Sequence, residues 1–180
     1  MKRTISFSLD GTSITEAIRQ LREYRAEFAR KCDEVASELA NQGYTVIYDI
    51  LSDHVFDGTT LASLRVQQLE DGEGNRFVVS AQSEAILILE FGSGLPAQRS
   101  PHPDAAIHNM GAGTLSEKGH WNQPGGWYYP TNDPRLITKY SKDGTQGYGH
   151  TKGMTPQMPF YKAAREIERS IEDAVRRVFA

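Results

Sequence analysis

The pattern of apolar and polar positions predicts two regular elements at the start of the chain. Residues 3–9 alternate apolar with polar side chains, which is the period of a half-buried strand. Residues 13–42 follow a helical period, and the predicted helix begins at a Ser13 and Glu16 capping box and ends at Gly43. The apolar stripe of this helix comprises Ile14, Ile18, Leu21, Phe28, Cys32, Val35 and Leu39. A strand and a long amphipathic helix are therefore expected first.

Three further segments carry patterns of strands or short helices. Residues 44–51 are β-branched and aromatic, which favours a strand returning along the helix. Residues 62–82 contain Asp-Gly and Gly-Asn pairs between two apolar runs, which predicts a β-hairpin. Residues 83–91 form a brief apolar run that suits either a strand or a helix; Ser83 as a cap favours the helix.

The end of the chain predicts a second amphipathic helix. Pro159 stands where a first helical residue is expected, and apolar residues recur at helical spacing after it. The predicted inner face comprises Ala163, Ile167, Ile171, Ala174, Val175 and Val178. The fold class that follows is α+β, with the long N-terminal helix and the C-terminal helix packed on a small, mainly antiparallel β-sheet.

A long irregular insertion is predicted at residues 95–157, within a single domain that spans residues 1–180. All eight prolines follow residue 95, and glycines and aromatic residues are frequent in the same segment. Residues 135–141 suggest one short strand inside it. Long loops of this kind in compact domains are usually binding segments, or are ordered by a partner.

Charge and cysteine content exclude several classes of function. A net charge of -3 and a pI near 6.0 offer no basic field for an anionic membrane, and no sequence-specific binding of nucleic acid is predicted. The longest apolar run is too short for a membrane helix, and the N-terminus has no secretion signal. Cys32 is the only cysteine, and its place in the helical pattern predicts a buried thiol without chemistry.

Glu90 is the first candidate for chemistry, in the stretch "ILILEFGSG". A general acid or base needs a partner within hydrogen-bond reach, and no carboxylate, His or Lys stands nearby at helical or strand spacing. The alternative is a structural turn in which Glu90 caps or pairs locally, Phe91 fills the core, and Gly92 and Gly94 bend the backbone. The structural turn is favoured.

The histidines of the insertion are the second candidate, because imidazoles with carboxylates bind Zn²⁺ or Fe²⁺. Their spacings match no tight ligand pair, and no pair of cysteines completes a structural site. The residues concerned are His102, His108, His120 and His150, with Asp104. The sequence therefore predicts no metal, no cofactor and no catalytic residue, and metal-dependent hydrolysis by these histidines stays an alternative hypothesis.

Aromatic residues in the insertion form the most unusual cluster. Trp121, Trp127, Tyr128 and Tyr129 either fold down as a small core or anchor a protein interface, where Trp and Tyr are enriched. Both interpretations stay open at this point. The composition favours a binding surface over a catalytic pocket.

The order of these motifs resembles the tailed-phage neck and tail-completion protein family, whose members also occur in prophages as minor tail or minor capsid components. The resemblance covers nearly the whole chain, and its most specific part is "EFGSG" followed by a loop and "MPFYKAA". The motifs are "FDGT" at 56–59, "EFGSG" at 90–94, "SPHP" at 100–103, "GWYYP" at 126–130, "HTKGM" at 150–154 and "MPFYKAAREI" at 158–167.

The resemblance implies a non-enzymatic virion assembly protein at the head-tail junction, with Glu90, Phe91, Gly92 and Gly94 as fold determinants. Its expected partners are other tail, neck and connector proteins, in a ring-forming homo-oligomer. Its expected location is the virion, and the host cytoplasm during assembly. The candidate interface residues are His102, Trp121, Trp127, Tyr128, Tyr129, Met154, Met158 and Phe160. A generic protein-binding module is a further alternative, and the long insertion departs from shorter members of the family.

Overall fold

The structure is a computed structural model that describes Ser8 and residues 10–54, 58–70, 75–110 and 124–180. Its elements confirm the α+β class. They are α1 (Gly11–His54), α2 (Gly58–Ala62), β1 (Arg65–Glu70), β2 (Asn75–Ser80), α3 (Glu84–Phe91), α4 (Gly94–Arg99), β3 (Trp127–Pro130), β4 (Lys139–Tyr140), β5 (Gly147–Thr151) and α5 (Pro159–Phe179). The strand predicted at residues 3–9 lies almost entirely outside the described residues.

The chain divides into two compact units. The first contains residues 1–48, 64–80 and 162–180, and the second contains residues 49–63 and 81–161. Strands β1 and β2 form an antiparallel pair in the first unit. Strands β3, β5 and β4 form a three-stranded antiparallel sheet in the second, with β5 in the centre. The prediction of one domain stays a prediction.

The strand predicted at residues 44–51 is wrong, because α1 continues through it to His54. Gly43 does not end the helix either. Ala40, Gly43, Ile47 and Leu51 are all buried, and their spacing of three and four residues is that of one helix face. Burial along this face outweighs the strand propensity of the β-branched residues, which is a weak preference.

Gly43 lies where two helices of the first unit approach each other closely. A Cβ atom at this position would lie 2.8 Å from Cδ1 of Ile167 in α5. Toward the end of α5, Lys31 Nζ donates to the carbonyl oxygen of Val178 at 2.7 Å. The two helices therefore run antiparallel, and α5 contacts α1 in this unit.

The outer parts of both helices are more exposed than their patterns suggested. Cys32 is exposed, so the prediction of a buried thiol is wrong. Along α1 the first apolar residues stay at the surface, with Leu21 54 % exposed. On α5, Ala163 and Ala174 are buried, whereas the predicted inner residues Ile171 and Val175 are exposed.

Two local predictions are confirmed. The hairpin forms with Arg65 opposite Ser80 and Glu70 opposite Asn75, and its connecting residues 71–74 lie outside the described part of the chain. The apolar run at 83–91 is helical, and the Ser83 side chain accepts a hydrogen bond from the Ala85 N–H. Both outcomes follow from signals within a few residues of each other, the turn pairs and the cap.

The described parts of the predicted insertion contain regular structure. The aromatic residues at 127–130 form β3, with Trp127 buried at 7 % exposure and Tyr128 exposed at 50 %. The Tyr129 ring fills the space beside Gly149, where a Cβ would lie 2.5 Å from Cζ of the tyrosine. Trp127 and Tyr129 therefore point inward as a small core, and Tyr128 faces out. The strand predicted at 135–141 is limited to Lys139–Tyr140.

Replacing Gly43 by Val tests the close approach of α1 and α5. We expect the free energy of unfolding to fall by about 2–3 kcal/mol, because the added side chain overpacks the contact with Ile167. The control is Ala29→Val at an exposed position of the same helix, where only the β-branched propensity cost of under about 1 kcal/mol applies. Equal losses in chemical denaturation of the two variants would contradict the close approach.

Candidate functional site

The best-defined constellation of polar groups lies in the second unit, where the chain leaves α3 and later enters α5. We call it the Glu90 corner and define it by residues 89–94, His102 and residues 153–161. Backbone hydrogen bonds tie its two long segments together. Gln157 N–H donates to Leu89 O at 2.7 Å, and Ser93 and Met154 exchange two bonds of 2.9 and 3.0 Å.

The Glu90 carboxylate caps the N-terminus of α5. Its Oε2 accepts from the Phe160 N–H at 2.8 Å, and its Oε1 accepts from the Tyr161 N–H at 2.9 Å. Pro159, the first helical residue, has no N–H to satisfy. The carboxylate also lies at the positive end of the helix dipole. A buried side chain 70 residues earlier in the chain therefore replaces the local cap that Met158 cannot provide.

His102 holds the carboxylate from the other side. Its Nε2 lies 3.0 Å from Glu90 Oε1, and its Nδ1 lies 3.0 Å from the backbone nitrogen of Asp104. Since a backbone N–H can only donate, Nδ1 accepts and the ring proton is on Nε2, which donates to Glu90. The imidazole packs between the rings of Phe91 and Tyr161, with centroids 4.8 and 5.1 Å away.

These contacts describe a structural clamp. Glu90 is 6 % exposed and accepts three hydrogen bonds, and His102 is 4 % exposed with both ring nitrogens in use. No lone pair of His102 is left to bind a metal ion. Within the described ranges, no three His, Cys, Asp or Glu side chains are grouped to hold one. His120 lies outside those ranges.

The glycines of the corner are set by close backbone contacts. Gly92 ends α3 with φ 72° and ψ -171°, and a Cβ there would lie 2.6 Å from the carbonyl oxygen of Met154. Gly94 begins α4 with φ 64°. Only glycine adopts such angles readily, and only glycine fits the space beside Met154. The sequence predicted a bend at these two positions, but it did not predict that the segment of Met154 packs against Gly92.

The candidate interface residues occupy different environments. His102 and Trp127 are buried, and Tyr128 is exposed. Tyr129, Met154, Met158 and Phe160 are half-buried, and Trp121 lies outside the described residues. The corner therefore brings together His102, Met154, Met158 and Phe160, whereas Trp127, Tyr128 and Tyr129 belong to the three-stranded sheet.

The outer face of that sheet presents a small aromatic and basic cluster. Lys139 Nζ lies 3.2 Å from the centroid of the Tyr128 ring, and the His150 ring lies 4.7 Å from the same centroid. The exposed tyrosine thus makes one cation–π contact and one ring contact. These contacts order the strand ends without burying Tyr128.

The first unit presents a larger apolar surface on α1. We call this surface the α1 stripe; it consists of Ile14, Ile18, Leu21, Tyr24 and Phe28, which are 38, 45, 54, 37 and 50 % exposed. Beside it lies a shallow groove of about 200 Å³, lined by Tyr24, Glu27, Phe28, Lys31 and Phe179. Single exposed apolar residues are ordinary on proteins, whereas here five large ones share one face of a helix. Among the described helices, none combines the length and apolarity needed to span a membrane.

Replacing Glu90 by Gln tests the clamp. The amide NH₂ cannot accept, so one backbone N–H of α5 or the His102 donor loses its partner, and we expect a loss of about 2–4 kcal/mol in unfolding free energy. Glu34→Gln, an exposed residue paired with Arg30, should change it by under about 0.5 kcal/mol. Matching denaturation midpoints for both variants would rule out the clamp.

Replacing Gly92 by Ala tests the close contact in the corner. We expect a loss of about 3 kcal/mol or more, because positive-φ strain adds to the clash with Met154. Gly144→Ala is the matched control, since Gly144 has φ 74° with open space around it. It should lose only about 1 kcal/mol. If calorimetry gives both variants the same stability, the contact with Met154 is not what requires glycine.

No family model, curated protein sequence or solved structure matches this chain significantly. The resemblance to the tail-completion family therefore rests on the residues of the motifs and on their order along the chain. The function that it implies is a proposal, and the geometry of the Glu90 corner and the α1 stripe is what bears on it.

Proposed function

We propose that this chain is a non-enzymatic assembly protein of a phage or prophage virion, which completes the tail or neck and joins it to the connector. One observation carries the proposal: the α1 stripe leaves a continuous row of large apolar side chains at the surface of the single chain. An enzyme does not need such a row, whereas a subunit that works in an assembly does.

The Glu90 corner gives the proposal a second support, because it joins two motifs of the resemblance. The two most specific motifs of the resemblance, "EFGSG" and "MPFYKAA", are about 70 residues apart in sequence. They meet in this corner, where Glu90 accepts hydrogen bonds from the first N–H groups of α5. Two motifs joined by direct hydrogen bonds form one structural unit. Their occurrence together is then a property of a fold and does not require a reaction.

The chemistry of the corner is consistent with a role without catalysis. Glu90 and His102 are a buried pair of the kind that active sites contain. They hydrogen-bond each other, and the remaining bonds go to the N-terminus of α5 and to the backbone of Asp104. A general acid or base must exchange a proton with a bound substrate. In this pair the polar atoms hold the fold together.

The proposed partners are other tail and neck proteins and the connector, and the proposed assembly is a ring of identical chains. Rings are built from repeated contacts between two different surfaces of one subunit. The exposed apolar residues of α1 and α5 offer two such surfaces. The proposed location is the virion, with assembly in the host cytoplasm.

A deletion of the gene in the phage or prophage that encodes the chain tests this function. We expect lysates with filled heads and finished tails that are not joined, seen by electron microscopy, and titres restored when the wild-type chain is supplied in trans. Purified protein added to such a lysate should also join heads to tails. Infectious particles of normal appearance from the deletion, or only unfilled heads, would contradict the proposal.

A further inference from the structure

We propose that the α1 stripe of one copy of this chain docks on the outer side of α5 of a second copy. The docking site on α5, which we call the α5 strip, consists of Ile171 and Val175 flanked by Glu168 and Glu172. The inference deepens the proposed function, on which it rests, because it identifies the subunit contact of the ring.

The free length of α1 is the first observation. α5 ends at Phe179, whose ring packs on that of Phe28 with centroids 5.5 Å apart. From Phe28 back to Gly11 the helix continues for another 17 residues, a length of about 25 Å at 1.5 Å per residue. This part of α1 lies beyond the end of the helix that packs against it. Its large apolar residues are 37–54 % exposed and can contact a neighbour, whereas Ala17 between them is buried.

The apolar spacing on the two helices matches. On α1, Ile18 and Leu21 are 45 and 54 % exposed and stand three residues apart. On α5, Ile171 and Val175 are 45 and 40 % exposed and stand four residues apart. Side chains at these spacings share a helix face, so each helix presents a ridge that fits between the residues of the other.

The charges beside the two surfaces are complementary. Arg22 and Arg25 follow Ile18 and Leu21 by four positions, and neither forms an ion pair within the described part of the chain. Glu168 and Glu172 precede Ile171 and Val175 by three positions. Among the residues that the structure describes, they pair with Arg165 and Arg176 of their own helix, on exposed side chains. Such intrahelical pairs are weak and can be exchanged for pairs with a second copy.

The same charges argue against pairing of two α1 stripes with each other. In an antiparallel pair of identical helices, corresponding flanks face one another, which would bring Arg22 and Arg25 of both copies to one seam. Docking of α1 on α5 instead pairs basic with acidic residues. A contact between two different surfaces leaves one free surface at each end and can repeat until a ring closes.

Complementation between two defective variants tests this contact. Leu21→Lys damages the α1 stripe and Val175→Lys damages the α5 strip, at positions exposed enough for the fold to survive, which thermal melting checks. By light scattering after gel filtration, we expect wild-type oligomers, a monomer for each variant alone, and a one-to-one dimer when they are mixed. In that dimer the intact stripe of one variant meets the intact strip of the other.

Charge reversal gives a second reading of the same contact. Arg25→Glu should weaken association about fivefold, and adding Glu172→Arg in the same chain should restore it to within about twofold. Arg30→Glu is the control, because Arg30 lies on the opposite side of α1 and should leave association unchanged. A charge swap that restores nothing would overturn the pairing.

Three results would overturn the docking itself: a wild-type chain that stays monomeric up to its solubility limit, a Val175→Lys chain that assembles like wild type, or variants that stay monomeric when mixed. The outcomes are separable from the proposed function. A one-to-one dimer together with a gene deletion that leaves virions intact would refute the virion role alone. Unjoined heads and tails together with normal assembly of Val175→Lys would refute the contact alone.

Discussion

The second unit depends on one buried carboxylate. Glu90 stands at the end of α3, and its two oxygens hold the first free N–H groups of α5 and the imidazole of His102. Removing a carboxylate from water is costly unless hydrogen bonds replace those that water made, and here three do. The helix dipole adds to the balance, since the negative group lies at the positive end of α5. The same atoms that repay the cost of burial fix where α5 begins and hold the loop that carries His102. Stability and geometry in this region therefore have one origin.

One strained backbone conformation lies close to the same carboxylate. Gly92 and Gly153 adopt positive φ, and so does Met158, with φ 60°. A bulky residue in this conformation costs of the order of 1 kcal/mol or more, and it persists only where its surroundings determine it. Met158 is held between its N–H bond to Leu89 O at 3.2 Å and the helix that Glu90 caps. The strain is thus a consequence of the clamp, because the chain has to turn sharply to bring the first N–H groups of α5 onto Glu90. Glu90 thus supplies the cap that the Met-Pro start of "MPFYK" lacks.

How far the sequence predicted this structure depended on the distance between the interacting residues. The Ser83 cap and the hairpin at 65–80 follow from signals within a few positions, and both were predictable. The helix end predicted at Gly43 is wrong, because a glycine at a close helix contact and a glycine that ends a helix look alike in one sequence. Glu90 and His102 are 12 residues apart at no regular spacing, so their pairing depends on how the loop folds. Trp127 and Tyr128 lie on opposite faces of strand β3, so one is buried and the other exposed. The strand could not be predicted because the surrounding sequence is rich in glycine. Long-range packing decided the environments of Gly43, Glu90, His102, Trp127 and Tyr128, whereas local signals decided the cap and the hairpin.

The exposed part of α1 raises the question of what keeps it helical. Seventeen residues is close to the length at which isolated helices become marginal in water, and most helical stability in proteins comes from packing of an apolar face. Hydrogen bonds from Arg19 and Gln20 to Glu16 lower the pKa of that carboxyl to about 2. Such exposed pairs in the first turns of α1 add little to the stability of the helix. The exposed N-terminal part of α1 is therefore held helical mainly by the packed residues that follow Phe28. Its own large apolar side chains stay partly exposed. Burial of that face by a partner would add stabilisation to the first unit. A second copy that covers this face would stabilise a helix that the single chain already forms from Gly11, and the affinity of the subunits would then include that free energy.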